Sequence, residues 1–178
     1  MSFSEEDGGY GGGPIETMIV MEQFGKGLVV EPFLPTVVLG GGMIARAEQE
    51  NGKPLIENQT FAEKIADLEI QVTALEYTEL RVLSQMAHGG QPGPEVSGLK
   101  VRGSEIQQRI AELAMEAVGE YAAPYQPGML FQDTNETPVG PDHAPPAAPR
   151  YFNMRKTSIY GGSNEIQKNI VSKMVLGL

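Results

Sequence analysis

Between Thr60 and Met86 the chain runs without a glycine or a proline, and its apolar residues Phe61, Ile65, Leu68, Val72, Leu75, Val82 and Met86 recur at helical spacing. A strand would need alternation with period two, so this stretch commits the chain to a long amphipathic helix. Ile70, Tyr77 and Leu80 add a second apolar stripe, which predicts burial on more than one side and makes this the inner helix of a bundle. Thr60 with Glu63 has the form of a capping box and is predicted to start the helix.

Glycines and Pro92 make His88 to Gly93 a loop, and Pro94 opens a second helix. Leu99, Ile106, Ile110, Leu113 and Ala117 keep one face of it inward, while Glu105, Gln108 and Glu112 fall elsewhere. Gly103 sits on the inward face, where the missing side chain predicts close packing of a neighbouring helix. Pro124 to Pro149 is proline-rich with little periodicity and reads as a long loop. Ala147 to Lys156 begins the last pair of helices, and its basic Arg155 and Lys156 are open to two readings, a phosphate contact or a solvated helix end.

Ahead of these, Gly8 to Gly13 lacks the lysine and hydroxyl of a phosphate cradle and follows no strand, so it reads as a flexible leader. A helix is predicted from Pro14 to Phe24, a proline-broken helical piece from Leu28 to Leu39, and a turn at Asn51-Gly52-Lys53-Pro54. The expected architecture is all-α: an antiparallel, up-down, four-helix-bundle-like C-terminal domain over residues 51–178, with a short helical N-terminal segment over residues 1–50.

A net charge of −10 disfavours nucleic acid and anionic membrane as partners, because both need clustered lysine and arginine. The absence of cysteine excludes disulfides, thiolate metal sites and a cysteine nucleophile. His88 and His143 are far apart and lack zinc-ligand spacing, so no metal is expected. No apolar run approaches a bilayer span, and the acidic Glu5-Glu6-Asp7 start lacks a targeting pattern; a cytoplasmic location is expected.

The terminal helix is introduced by Tyr160-Gly161-Gly162-Ser163-Asn164-Glu165. Two glycines free the backbone, Ser163 or Asn164 is placed to cap, and Ile166, Ile170, Val171, Met174 and Val175 recur up to Gly177. A tight loop thus points into a helix N-terminus, which suits an anionic or strongly polar ligand group; on spacing alone the same residues also describe a plain turn.

As a string, Ile159 to Ile170 resembles the C-terminal signature of the acyl-CoA dehydrogenases, flavoenzymes that desaturate acyl thioesters. Glu5 to Gly11, Glu16-Thr17-Met18 and Glu22-Gln23-Phe24-Gly25 are similar to the end of that family's N-terminal helical domain. Gly52 to Ile56, Leu75 to Arg81 and Gly103 to Gln108 are similar to its C-terminal bundle. The resemblance implies flavin adenine dinucleotide (FAD) as cofactor, contacted by Gly162, Ser163 and Glu165, and an acyl-CoA thioester against Tyr160 and Gly161.

Two departures accompany it. Gly161 occupies the place where many members carry the catalytic glutamate, so no residue is nominated as the base. The family's Arg-x-x-Phe-Gly-Lys run, which reaches the flavin of a neighbouring subunit, stands here as Glu48-Gln49-Glu50-Asn51-Gly52-Lys53. No strand-length alternation represents the family's β-domain between the two matched parts, and the chain reads as a joined fragment.

The expected function is α,β-desaturation of an acyl-CoA thioester in lipid catabolism, by a truncated form of such an enzyme. The alternative is a non-catalytic helical subunit or remnant that pairs with an intact dehydrogenase chain. An unrelated helical interaction protein would require the signature to be accidental. In the first two readings the chain forms a homo-oligomer or a hetero-oligomer, because apolar area that normally meets the sheet domain would be uncovered.

Overall fold

The computed structural model describes residues 52–131 and 134–178. The glycine leader, the helices expected before Gly40, and Glu48 to Asn51 lie outside the described residues. The regular elements of the described part are all helical, as expected. After a short 3-10 turn at Leu55–Glu57 come α1 (Gln59–Ala87), α2 (Glu95–Val118), a short α3 (Pro127–Phe131), α4 (Ala147–Met154) and α5 (Asn164–Val171). A π-helical turn, Ser172–Leu176, extends α5 and closes at Gly177 in the left-handed conformation.

Helices α1 and α2 pack antiparallel. Phe61 and Leu68 meet Ile106, Ile110, Leu113 and Ala117 in one buried cluster, lined by Leu55, Ile65, Val72 and Leu75. Lys64, early in α1, pairs with Glu116, late in α2. A second cluster joins the end of α2 to the start of α4 through Ala114, Val118, Ala122, Ala144 and Ala147. These small side chains let the proline-rich connection lie close on α2. That connection, expected to be a plain loop, contains α3 and is tied across by Gln126, which accepts from Val139 N at 2.7 Å and donates to Val139 O at 3.2 Å.

Three expectations are corrected. The inner helix is α2, which contacts α1, α4 and α5, whereas α2 is the main neighbour of α1. Ile70 and Tyr77 are therefore 69% and 65% exposed, and Leu80 is exposed as well. Their stripe is helical and apolar, but it points away from α2, the helix that packs on α1 among the described residues. Thr60 is not the cap. Asn58 is extended and its side chain accepts from Phe61 N at 3.1 Å, so α1 begins at Gln59 and Glu63 instead accepts from the Gln59 side chain at 3.0 Å. Asparagine is the stronger capping residue of the two. Finally, a Cβ placed on Gly103 would stand 3.9 Å from Leu75, an ordinary contact, so close packing does not require glycine there.

Candidate functional site

The signature loop lies between two anchored ends. On the entry side α4 runs into a 3-10 turn, Arg155–Ser158, and both Ile159 N and Tyr160 N donate to Lys156 O, at 2.9 and 3.2 Å. Gly161 and Gly162 then take φ of 67° and 84°, a left-handed pair that other residues adopt only with strain. On the exit side Ser163 is extended, and its hydroxyl accepts from Ile166 N at 3.4 Å, long but sufficient to mark it, of the two candidates, as the cap. Gln167, one turn into α5, reaches back and donates to Gly161 O at 3.2 Å.

The loop brings all five expected site residues together at the surface. Tyr160 is 54% exposed, Gly161, Gly162 and Glu165 are exposed, and Ser163 is half-buried. The Glu165 carboxyl is held below the ordinary glutamate range. The largest cause is a hydrogen bond from its own backbone N–H, the next is the Ser163 hydroxyl, and Lys168 and Lys100 add smaller attractions against slight desolvation. An ionised carboxylate in the first turn is what the helix N-terminus favours. The arrangement offers a hydroxyl, a carboxylate and a phenol on a shaped backbone.

Arg155 turns inward onto the chain itself. Its guanidinium donates through Nη2 to Gln108 O at 3.1 Å and lies 4.5 Å over the Tyr151 ring, while its Nε is buried without a hydrogen-bond partner. The 3-10 turn directs it onto α2, while Lys156 stays exposed. A groove of about 310 Å³ between α1 and α2, lined in part by Leu75, Thr78, Gly98 and Arg102, is separate from the loop. Gly98 and Arg102 are two residues out of phase with Lys100 and Ser104, about 200° around the helix, and it is Lys100 and Ser104 that face α5.

The sequence reading missed the residues that hold the loop. Lys100 and Ser104 reach the Asn164 side-chain oxygen at 2.7 and 3.1 Å, and Asn164 is buried. Gln108, expected only to fall away from the apolar face, points its amide into the Arg155–Ser158 turn. The available signal was the polar spacing Lys100, Ser104, Gln108 along one side of α2.

Comparison with known proteins bears on this geometry. Residues 43–176 match the family described as Acyl-CoA dehydrogenase, C-terminal domain. Acyl-CoA dehydrogenase IpdE1 of Mycobacterium tuberculosis is 33% identical over 108 residues, 57% of this chain and 24% of that protein. The FAD complex of PigA superposes with a TM-score of 0.58 at 21% identity, covering 79% of this chain and 32% of that one. The ChsE4–ChsE5 complex of Mycobacterium tuberculosis superposes with a TM-score of 0.57 at 20% identity, covering 80% of this chain and 34% of that one. The chain thus spans about a quarter of the curated relative and about a third of the two solved chains, and the two superpositions establish the shared helical fold. With more than half of its length matched by the family's C-terminal domain, the chain belongs to the acyl-CoA dehydrogenases.

Proposed function

We propose that residues 51–178 are the C-terminal helical bundle of an FAD-dependent enzyme that desaturates an acyl-CoA thioester between its α and β carbons, with residues 1–50 from the end of the N-terminal helical domain. One observation carries this reading: within a domain of that family, the left-handed pair Gly161 and Gly162 turns the chain into a capped helix with a hydroxyl and an ionised carboxylate exposed beside it. Those groups fit a polar cofactor edge. Gly162, Ser163 and Glu165 would hold FAD, and Tyr160 and Gly161 would lie against the thioester.

FAD, when bound, supplies the acceptor for the hydride leaving the β-carbon. The contribution of this chain is to bind and orient. Ser163, its proton turned to Glu165 and one lone pair to Ile166 N, keeps a lone pair to accept, Glu165 accepts as a carboxylate, and Tyr160 offers an amphipathic wall. Gly161 holds no acid-base group, so the α-proton needs a carboxylate from outside the loop. Nothing lies within 4 Å of a Cβ built on Gly161, so the cost of a carboxylate side chain at this position is the strain of its left-handed backbone and not a clash.

The second reading, a helical subunit that pairs with an intact dehydrogenase chain, is favoured by the same glycine and by the exposed apolar stripe of α1. Gel filtration after incubation with FAD separates the two. Co-elution of protein with flavin absorbance is expected, followed by acyl-CoA-dependent bleaching that a Gly161→Glu variant increases. Elution free of flavin would remove the first reading and leave the paired subunit, to be tested by co-purification with a complete dehydrogenase chain.

A further inference from the structure

We propose that Lys100, Ser104 and Gln108 of α2 are positioning residues that clamp the signature loop at both of its ends. Successive members are one turn apart, so the ladder spans about 12 Å along one side of the helix. Gln108 grips the entry. Its amide nitrogen lies 3.2 to 3.4 Å from Met154 O, Arg155 O, Thr157 Oγ1 and Ser158 Oγ, more acceptors than its two hydrogens can serve at once, so it fills the mouth of the 3-10 turn. Its own carbonyl accepts from Arg155, closing the contact in the other direction. The buried Thr157 adds a link by donating to Met154 O at 2.8 Å.

Lys100 grips the exit. Asn164, the first residue of α5, is buried and its side-chain oxygen faces both Lys100 Nζ and Ser104 Oγ. Ser104 has one hydroxyl proton and a nearer acceptor in Val101 O at 2.8 Å, so it serves Asn164 only part of the time. The ammonium of Lys100 is the dedicated donor, and its hydrogen bond carries a charge. A lysine methylene chain reaching across a helix interface is easily read as a solvated surface residue, yet here its head holds the first residue of α5. Between the two grips, Ile159 to Gly162 is open to ligand while its ends cannot drift. The hydrogen bonds belong to the folded chain, and what the clamp means for FAD rests on the function proposed above.

Hydrogen exchange read peptide by peptide tests it without any ligand. Lys100→Met should speed exchange of the hydrogen-bonded amides at 167–171 by about tenfold or more, the effect of losing a charged hydrogen bond, and leave the α1 and α2 core amides unchanged. Lys100→Arg, which keeps a donor and the charge, should restore most of the protection. Gln108→Leu should speed exchange at 156–160 instead, and it supplies the test where Lys100→Met does not fold. Unchanged exchange at 167–171, or acceleration spread evenly over α1 and α2, would overturn the clamp. Flavin retention is measured on the same proteins: a wild type without retained FAD but with these exchange shifts loses the proposed function and keeps the clamp, and a wild type that retains FAD without them does the reverse.

Discussion

Helices α1 and α2 are adjacent, antiparallel and similarly amphipathic, yet α1 buries three of its 29 residues and α2 buries ten of 24. The difference lies in their neighbours. Among the described residues one covering helix hides one stripe, with Phe61, Leu68 and Val82 buried in α1, and its second stripe is exposed. Helix α2 is covered by α1, α4 and α5, and even polar Ser97 and Ser104 are buried on it. Apolar periodicity therefore records which faces a helix can bury, and the topology decides which faces find a partner.

The largest expected effect divides the two helices directly. Leu113 is fully buried, and Leu113→Ala should destabilise the chain by about 3 kcal/mol, within the usual range for a core leucine. Ile70→Ala on the outer stripe should cost less than about 0.5 kcal/mol, as an exposed substitution does. Urea unfolding of both variants at two protein concentrations measures this. A loss at Ile70 approaching that at Leu113, growing with concentration, would show that a second copy covers the stripe and would dissolve the contrast.

The same contrast explains what was legible in the sequence. Helix positions and the inward residues Ile106, Ile110 and Leu113 follow from spacing, because a run of period 3.6 has one structural solution. The choice of α2 as the inner helix did not follow, since the second apolar stripe lies on α1 and the spacing in α2 marks only one inward face. The five loop residues were legible as a string and the structure places them on one exposed turn. Lys100, Ser104, Gln108 and Asn164 were not, because polar side chains read as solvated until a partner is known, and their partners lie 46 to 64 positions away.

Helix starts sharpen the comparison at a smaller scale, because α1 depends on its own cap more than the well-covered α2 does. Helix α2 has no side-chain cap at Pro94, while α1 has Asn58. Asn58→Ala should cost about 1 kcal/mol, and Thr60→Ala should change stability by less than about 0.5 kcal/mol. Thermal unfolding monitored by circular dichroism distinguishes them. A larger loss at Thr60 would restore the capping box inferred from the sequence and move the start of α1.

The smallest effect tests how far α2 reaches beyond its own core. Glu165 titrates below the ordinary glutamate range because its own backbone N–H, then the Ser163 hydroxyl, and more weakly Lys168 and Lys100 favour the carboxylate. A folded-state value lower than the unfolded one adds stability that is present above the ordinary glutamate range and disappears as pH falls through the lowered value. Carboxyl-detected NMR should therefore give Glu165 a midpoint on the acid side of a peptide glutamate. Ser163→Ala should raise that midpoint more than Lys100→Met does, since the hydroxyl contributes more than the distant ammonium. A midpoint unmoved by Lys100→Met would confine the lysine to its bond with Asn164, whereas a rise larger than that from Ser163→Ala would mean that α2 governs the charge of the loop as well as its position.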